Sequence, residues 1–210
     1  MRSAGVAARP LAPQRGGRAA ARAPGDQDVF VLVCPQTGEA AHVVPIYRRE
    51  FPEALLLVVV AVESPDYAAD VLELGADDVV ATARVERQLV ARVRALQRRH
   101  NFSEGVVHPA TLRAGALCVD FDAQKVWIGD DELALSPTEF RLFRTLSMHL
   151  GRVVTHREIL DQVWGEHRPE TVRALRVYIR HIRRKVRDAG DAIQIVVRPG
   201  IGYMLTVPAS

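Results

Sequence analysis

At 210 residues, 48% of them hydrophobic, the chain is long enough to bury a real core and to hold two small domains, which excludes a wholly disordered protein. Its 28 lysines and arginines stand against 25 acids, so a net charge of only +3 does not by itself name a polyanion as partner; the distribution of charge has to. Two cysteines, Cys34 and Cys118, cannot build a secreted disulfide framework, and the longest apolar run, 54–62, is too short for a bilayer and sits where no signal peptide can, so a soluble cytoplasmic protein without a membrane partner is expected.

Residues 1–27 are rich in Ala, Arg, Gly and Pro without hydrophobic periodicity; they have little to bury in exchange for order, and a disordered basic tail is predicted. A targeting segment is the weaker reading, because no amphipathic helix is visible there. Residues 28–100 then alternate: an apolar run at 29–34, a mixed segment at 39–50, a second apolar run at 55–62, a helix at 66–74 closed by Gly75, a short strand at 78–81, and a helix at 85–99 with Val85, Leu89, Val93 and Leu96 at helical spacing. Such alternation predicts parallel β/α units. Residues 101–112 mix Gly105, Pro109 and polar side chains without a period and read as a linker.

A second domain is predicted over residues 113–208. Strands at 116–121, 125–128 and 132–135 are separated by turn-forming residues, which predicts a small antiparallel sheet. Helices follow at 137–149, capped by Ser136 with Glu139 three residues on, at 156–164, capped by Thr155, and at 171–187. Strands at 193–197 and 203–207 around the turn 198–202 complete a hairpin, so a winged arrangement of helices is expected. The fold class is therefore α/β plus α+β.

Charge concentrates in this second domain: residues 168–198 hold nine lysines and arginines against Glu170, Asp188 and Asp191. In the third helix Val172, Leu175, Ile179, Ile182 and Val186 fill an arc of about 80° and read as the buried side. Arg173, Arg176, Arg180, Arg183, Arg184 and Arg187 fill a neighbouring arc of about 100° with no acid interleaved. Like charges so placed repel unless a polyanion neutralises them, and arginine forks onto guanine edges or phosphates while a helix fits the major groove. A merely solvated helix face ordinarily mixes signs, so double-stranded DNA is the predicted partner. Metal-ligand spacing, a nucleophile beside a base and a phosphate-cradling glycine loop are not found, and His42, His100, His108 and His149 are scattered, so neither an enzyme nor a cofactor is expected.

Leu135-Ser136-Pro137-Thr138-Glu139-Phe140, the run Arg157 through Gly165, Arg176-Val177-Tyr178-Ile179-Arg180-His181-Ile182-Arg183-Arg184-Lys185 and Pro199-Gly200-Ile201-Gly202-Tyr203 together resemble the winged helix-turn-helix effector domain of OmpR/PhoB response regulators, in its KdpE-like branch. The resemblance implies phosphate and base contacts at Trp164, Arg173, Tyr178, Arg180, His181, Arg183 and Tyr203. The charge pattern adds Arg176, Arg184 and Arg187, and Arg198 stands one place before the Pro199 that replaces a common wing arginine. Tyr178 and His181 are departures, standing where the family commonly has histidine and arginine. The loop with Glu166, His167 and Arg168 is where such activators touch RNA polymerase.

Residues 28–99 resemble the second half of a flavodoxin-like receiver, most clearly at Leu72-Glu73-Leu74-Gly75-Ala76-Asp77-Asp78 and Ala91-Arg92-Val93-Arg94-Ala95-Leu96. On that alignment Val33, or Cys34 with a one-residue shift, replaces the phosphorylated aspartate. Val60 replaces the threonine, Thr82 the lysine, Ala83 the proline and Val79 the switch aromatic, while the first strand and its acidic pair are missing. The implied domain is a truncated pseudo-receiver that acts without phosphorylation. Asp77, Asp78 and Arg92 match a family dimer face, with Gln88 in place of an acid, and the strand at 29–33 would be left as an edge for the tail or a second chain to cover. A sequence-specific transcription regulator, dimeric on paired half-sites, is the expectation. The alternative is a nonspecific DNA-binding module whose degenerate domain docks a protein partner.

Overall fold

The computed structural model describes residues 9–10, 20–23, 29–61, 64–100, 110–165, 169–190 and 192–208. The chain divides into two compact units, Met1–Asn101 and Phe102–Ser210.

The first unit is built on one sheet in the order β1 (Arg9–Pro10), β2 (Ala20–Ala23), β3 (Val29–Cys34), β4 (Leu55–Val60), β5 (Asp78–Ala81). Strands β3, β4 and β5 run parallel, as the alternation predicts. Helices α1 (Glu39–Glu50) and α2 (Pro65–Glu73) make the crossovers, and α3 (Val85–His100) follows a short 3-10 turn, Thr82–Arg84. The central strand β4 is apolar at all positions and buried at all of them, as a strand covered on both faces must be. Val93 and Leu96 of α3 pack on Val29, Leu55 and Leu57, which closes one face. The mixed segment at 39–50 is a helix despite Pro45, and buries Ala40, Val43 and Val44.

The tail departs from expectation. Within residues 1–27, predicted to be disordered, β2 pairs antiparallel with β3 from Ala20↔Leu32 to Ala23↔Val29, and β1 pairs with β2. The bare edge of β3 offers unpaired N–H and C=O groups, and a hydrogen-bond ladder forms regardless of side-chain hydrophobicity. The edge that invited a second chain is thereby covered from within.

The second unit opens with a four-stranded antiparallel sheet, β6 (Thr111–Ala114), β7 (Leu117–Asp120), β8 (Lys125–Ile128) and β9 (Asp131–Glu132). Strand β6 begins inside the stretch read as linker, because its alternation is too short to register before its pairing with β7 is known. Leu117, Val119, Val126 and Ile128 point to the core with a period of two. Helices α4 (Pro137–Ser147) and α5 (His156–Trp164) each start on a complete capping box, Ser136/Glu139 and Thr155/Glu158. Helix α6 (Pro169–Asp188) is longer than predicted and packs against α4, α5 and β11. A three-stranded sheet in the order β10 (Val154–Thr155), β12 (Gly202–Thr206), β11 (Gln194–Arg198) supplies the wing. No helix among the described residues is long and apolar enough to cross a membrane.

Candidate functional site

Helix α6 is buried far more widely than its apolar stripe predicts. Ala174, Leu175, Val177, Tyr178, Ile179, Ile182 and Val186 are all buried, an arc of about 200° on the helical wheel, whereas Val172 near the start of the stripe is exposed. Ala174, Val177 and Tyr178 add a buried flank that periodicity alone does not announce. What remains exposed is the arginine side: Arg173, Arg176, Arg180, Arg184 and Arg187 occupy about 80° of the wheel.

Arg183 departs from this set. It is half-buried, and its Nε and Nη2 both donate to the Ile195 carbonyl, at 2.9 and 2.6 Å. Its fork is spent fastening β11 alongside the helix, a role that the shared arginine pattern conceals. Lys185 is drawn to another side, where its Nζ donates to the Ala134 carbonyl at 2.7 Å and to Glu139 Oε2 at 2.6 Å. Glu139 is buried, and the same carboxylate accepts from the Ser136 backbone N–H at 2.7 Å. One side chain thus caps α4 and ties it to α6. The capping role is legible from spacing; the reach to a lysine 46 residues away is not.

Three residues expected to touch DNA lie in the interior. Tyr178 is 1% exposed and Trp164 3%, with ring centroids 5.7 Å apart, so they pack the α5–α6 junction. Tyr203 is buried with its ring edge-on to His156 at 5.5 Å. Aromatic bodies at a helix junction are more valuable as buried area than as surface contacts, which is why they sit there. His181 is half-buried between Tyr178 and Glu139, with its Nδ1 3.8 Å from the carboxylate. Burial pulls its pKa below the ordinary histidine value; Glu139 opposes this, while Arg184, Arg180 and Lys185 reinforce it.

The wing is pinned on several sides. Strand β11 pairs with β12 from Gln194↔Thr206 to Arg198↔Gly202. The Ile201 N–H donates to the Arg198 carbonyl at 3.0 Å, and Gly200 supplies the left-handed conformation the turn needs, φ +74°. The Ile201 carbonyl accepts from the His156 N–H at 2.9 Å, which ties the turn to the start of α5. Gly202 sits so close to β10 that a Cβ would lie 1.9 Å from the Val154 carbonyl oxygen. Arg198, Pro199 and Ile201 are exposed at the tip. Glu166, His167 and Arg168 lie outside the described residues.

In the first unit the C-terminal ends of the parallel strands carry Cys34, Val60 and Ala81 side by side. Val33 is half-buried, Val60 is buried, and exposed Thr82 donates its hydroxyl to the Val60 carbonyl at 3.0 Å. Burial, aided by Glu39, pushes the Cys34 thiol up to about 11. Asp77, expected on a dimer face, is instead 1% exposed; its Oδ2 accepts from Arg48 at 2.6 Å and from the Leu56 N–H at 2.9 Å. A carboxylate so deep meets the strand and helix that cover it, not a second chain. Asp78 and Arg92 pair with each other at 2.7 Å within the chain.

Comparison with known proteins fits both units. The family model described as "Transcriptional regulatory protein, C terminal" matches residues 130–205. Response regulator MprA of Mycolicibacterium vanbaalenii is 35% identical over 150 residues, 71% of this chain and 65% of that protein. Sensory transduction protein RegX3 of Mycobacterium leprae is 33% identical over 135 residues, 64% of this chain and 68% of that one. Against the first curated relatives it matches, the chain spans 60 to 65% of their length. The solved structure of a RitR mutant has a TM-score of 0.65 at 23% identity, over 88% of this chain and 81% of that one, and shares the fold. With these matches added to the winged helices and the receiver-like sheet, the chain belongs to the OmpR/PhoB family of response regulators.

Proposed function

We propose that this chain is a sequence-specific, double-stranded-DNA-binding regulator of transcription, not an enzyme, working in the cytoplasm without a cofactor. The observation that carries the reading is the exposed arc of α6, where five arginines share about 80° of the helical wheel and no acidic residue of the helix falls among them. In the proposed complex this face enters the major groove and Arg198 approaches the adjacent minor groove. Trp164, Tyr178 and Tyr203 support the surface from beneath, Arg183 sets the wing beside it, and His181 lies between the two layers.

Regulation is proposed to be independent of aspartyl phosphorylation. The strand ends where an acceptor carboxylate would be needed carry a thiol and apolar side chains, and a phosphoryl-binding site needs acids for magnesium and a cation for the phosphate. Contact with RNA polymerase through Glu166, His167 and Arg168 is proposed from the family. A homodimer on repeated half-sites is proposed too, and it would have to use a surface other than the covered edge of β3 or the buried Asp77.

The test is a titration of labelled duplex at several salt concentrations. Each arginine lost from a phosphate contact is expected to flatten the log–log salt dependence by about 0.9. Arg173, Arg176, Arg180, Arg184 and Arg187 are the positions to vary. A salt slope that none of these substitutions alters would refute the proposed face.

A further inference from the structure

Ile201 is the most exposed large apolar side chain among the described residues, at 55%, and Val197 follows at 44%. Scattered apolar side chains on a surface are ordinary. Here, however, Val197, Pro199 and Ile201 fall within five residues of one hairpin turn, all of them exposed. The backbone beneath them is fixed: the Ile201 N–H is bonded to Arg198, its carbonyl to His156, and Gly202 lies against Val154. A side chain shown to water from so rigid a base is held out rather than left loose. Exposed Arg198 stands in the same turn, and the fork of Arg183 fastens this hairpin beside the arginine face of α6. Positive charge on the flanks fits a polyanion, and an apolar tip between those charges fits an apolar part of duplex DNA such as its base-pair stack.

We propose that the wing turn is a wedge: with α6 in the major groove, Ile201, braced by Pro199, enters the neighbouring minor groove, partly unstacks one base step and kinks the duplex. Isoleucine and proline are among the side chains able to open a step in this way. The inference rests on the DNA-binding reading and deepens it, since it gives the wing a part in choosing sites by their deformability rather than by base edges.

The experiment uses the full chain and a duplex enriched by it from a random pool. End-attached dyes report bending by energy transfer, and 2-aminopurine placed at successive steps reports unstacking. The wild-type chain is expected to raise 2-aminopurine emission at one step and to bend the duplex by about 20–90°. Ile201→Ala should lose both signals while still binding, and Ile201→Leu should keep them; tryptophan emission of each free variant verifies folding. An unchanged bend in Ile201→Ala overturns the wedge. So does a change in that variant's sedimentation with the bend intact, which assigns the turn to contact between copies. If the wild type binds no duplex preferentially, the DNA-binding reading fails and the wedge with it, an outcome the binding titration distinguishes from loss of bending alone.

Discussion

Gly202→Ala is expected to be the most damaging single-methyl change in the second unit. The new Cβ would lie 1.9 Å from the Val154 carbonyl oxygen and 2.8 Å from Thr155 Cα, both backbone atoms that cannot rotate away. Reaching the 3.4 Å of ordinary contact requires β12 and β10 to part by about 1.5 Å. That separation breaks the pairing of Val154 with Tyr203 and strains the His156–Ile201 bond. Overpacking costs about 1–3 kcal/mol, and two bonds at about 1 kcal/mol each bring the loss to roughly 3–5 kcal/mol. For a unit of this size that lowers the unfolding midpoint by about 12 °C or more. Both tryptophans, Trp127 and Trp164, lie in this unit, so their emission during heating reports it alone. Gly200→Ala is the control: its φ of +74° is unfavourable for alanine, but nothing lies within 4 Å, so only the backbone cost of about 1–2 kcal/mol applies. A Gly202→Ala midpoint at or above that of Gly200→Ala would show that β10 and β12 accommodate the methyl without parting.

Arg180→Ala should weaken specific DNA binding by about 1–3 kcal/mol if it reads a base, or flatten the salt slope if it holds a phosphate, with little change in thermal stability. Arg183→Ala should do the reverse, lowering the unfolding midpoint through the loss of about 1.5–3 kcal/mol of charge-assisted bonding to Ile195; paired titrations and melts separate the two. Because burial holds the pKa of His181 below its unfolded value of about 6.5, the unfolded chain takes up the proton first as pH falls. The stabilisation is therefore present above that pH and lost as pH drops toward the depressed native value. His181→Gln should flatten this part of the stability–pH curve measured by chemical denaturation. Incubation with a small-molecule phosphoryl donor should leave the intact mass unchanged, and a hydroxylamine-sensitive phosphoryl adduct on the first unit would contradict the phosphorylation-independent reading.

Much of the architecture was legible because local signals and burial agree. The caps Ser136 and Thr155, the uninterrupted apolar run of β4 and the helical spacing of Val93 and Leu96 each correspond to a physical requirement of the element that contains them. The arginine arc of α6 was legible for the same reason: a helix has one period, and charge kept to one side of it must face outward. The failures lie where a distant partner decides. Arg183 differs from its neighbours only through Ile195, Asp77 through Arg48, and Trp164 through Tyr178, none of which a linear pattern pairs. The tail strands were hidden more deeply, since backbone pairing to β3 leaves no mark on side-chain periodicity. Gly202 stands between two strongly interpretable signals, the turn and the strand, yet the reason for a glycine there is the carbonyl of Val154 across the sheet.

Whether the exposed arginine face of α6 reads a DNA sequence is decided by selecting bound duplexes from a random pool at near-physiological salt. An enriched motif is expected, repeated at a spacing of about 10–10.5 base pairs if two copies bind side by side, with enrichment lost or altered when all five exposed arginines of α6 are replaced by alanine. Recovery of duplexes with no enriched sequence would contradict that expectation and leave a basic helix that coats DNA without reading it.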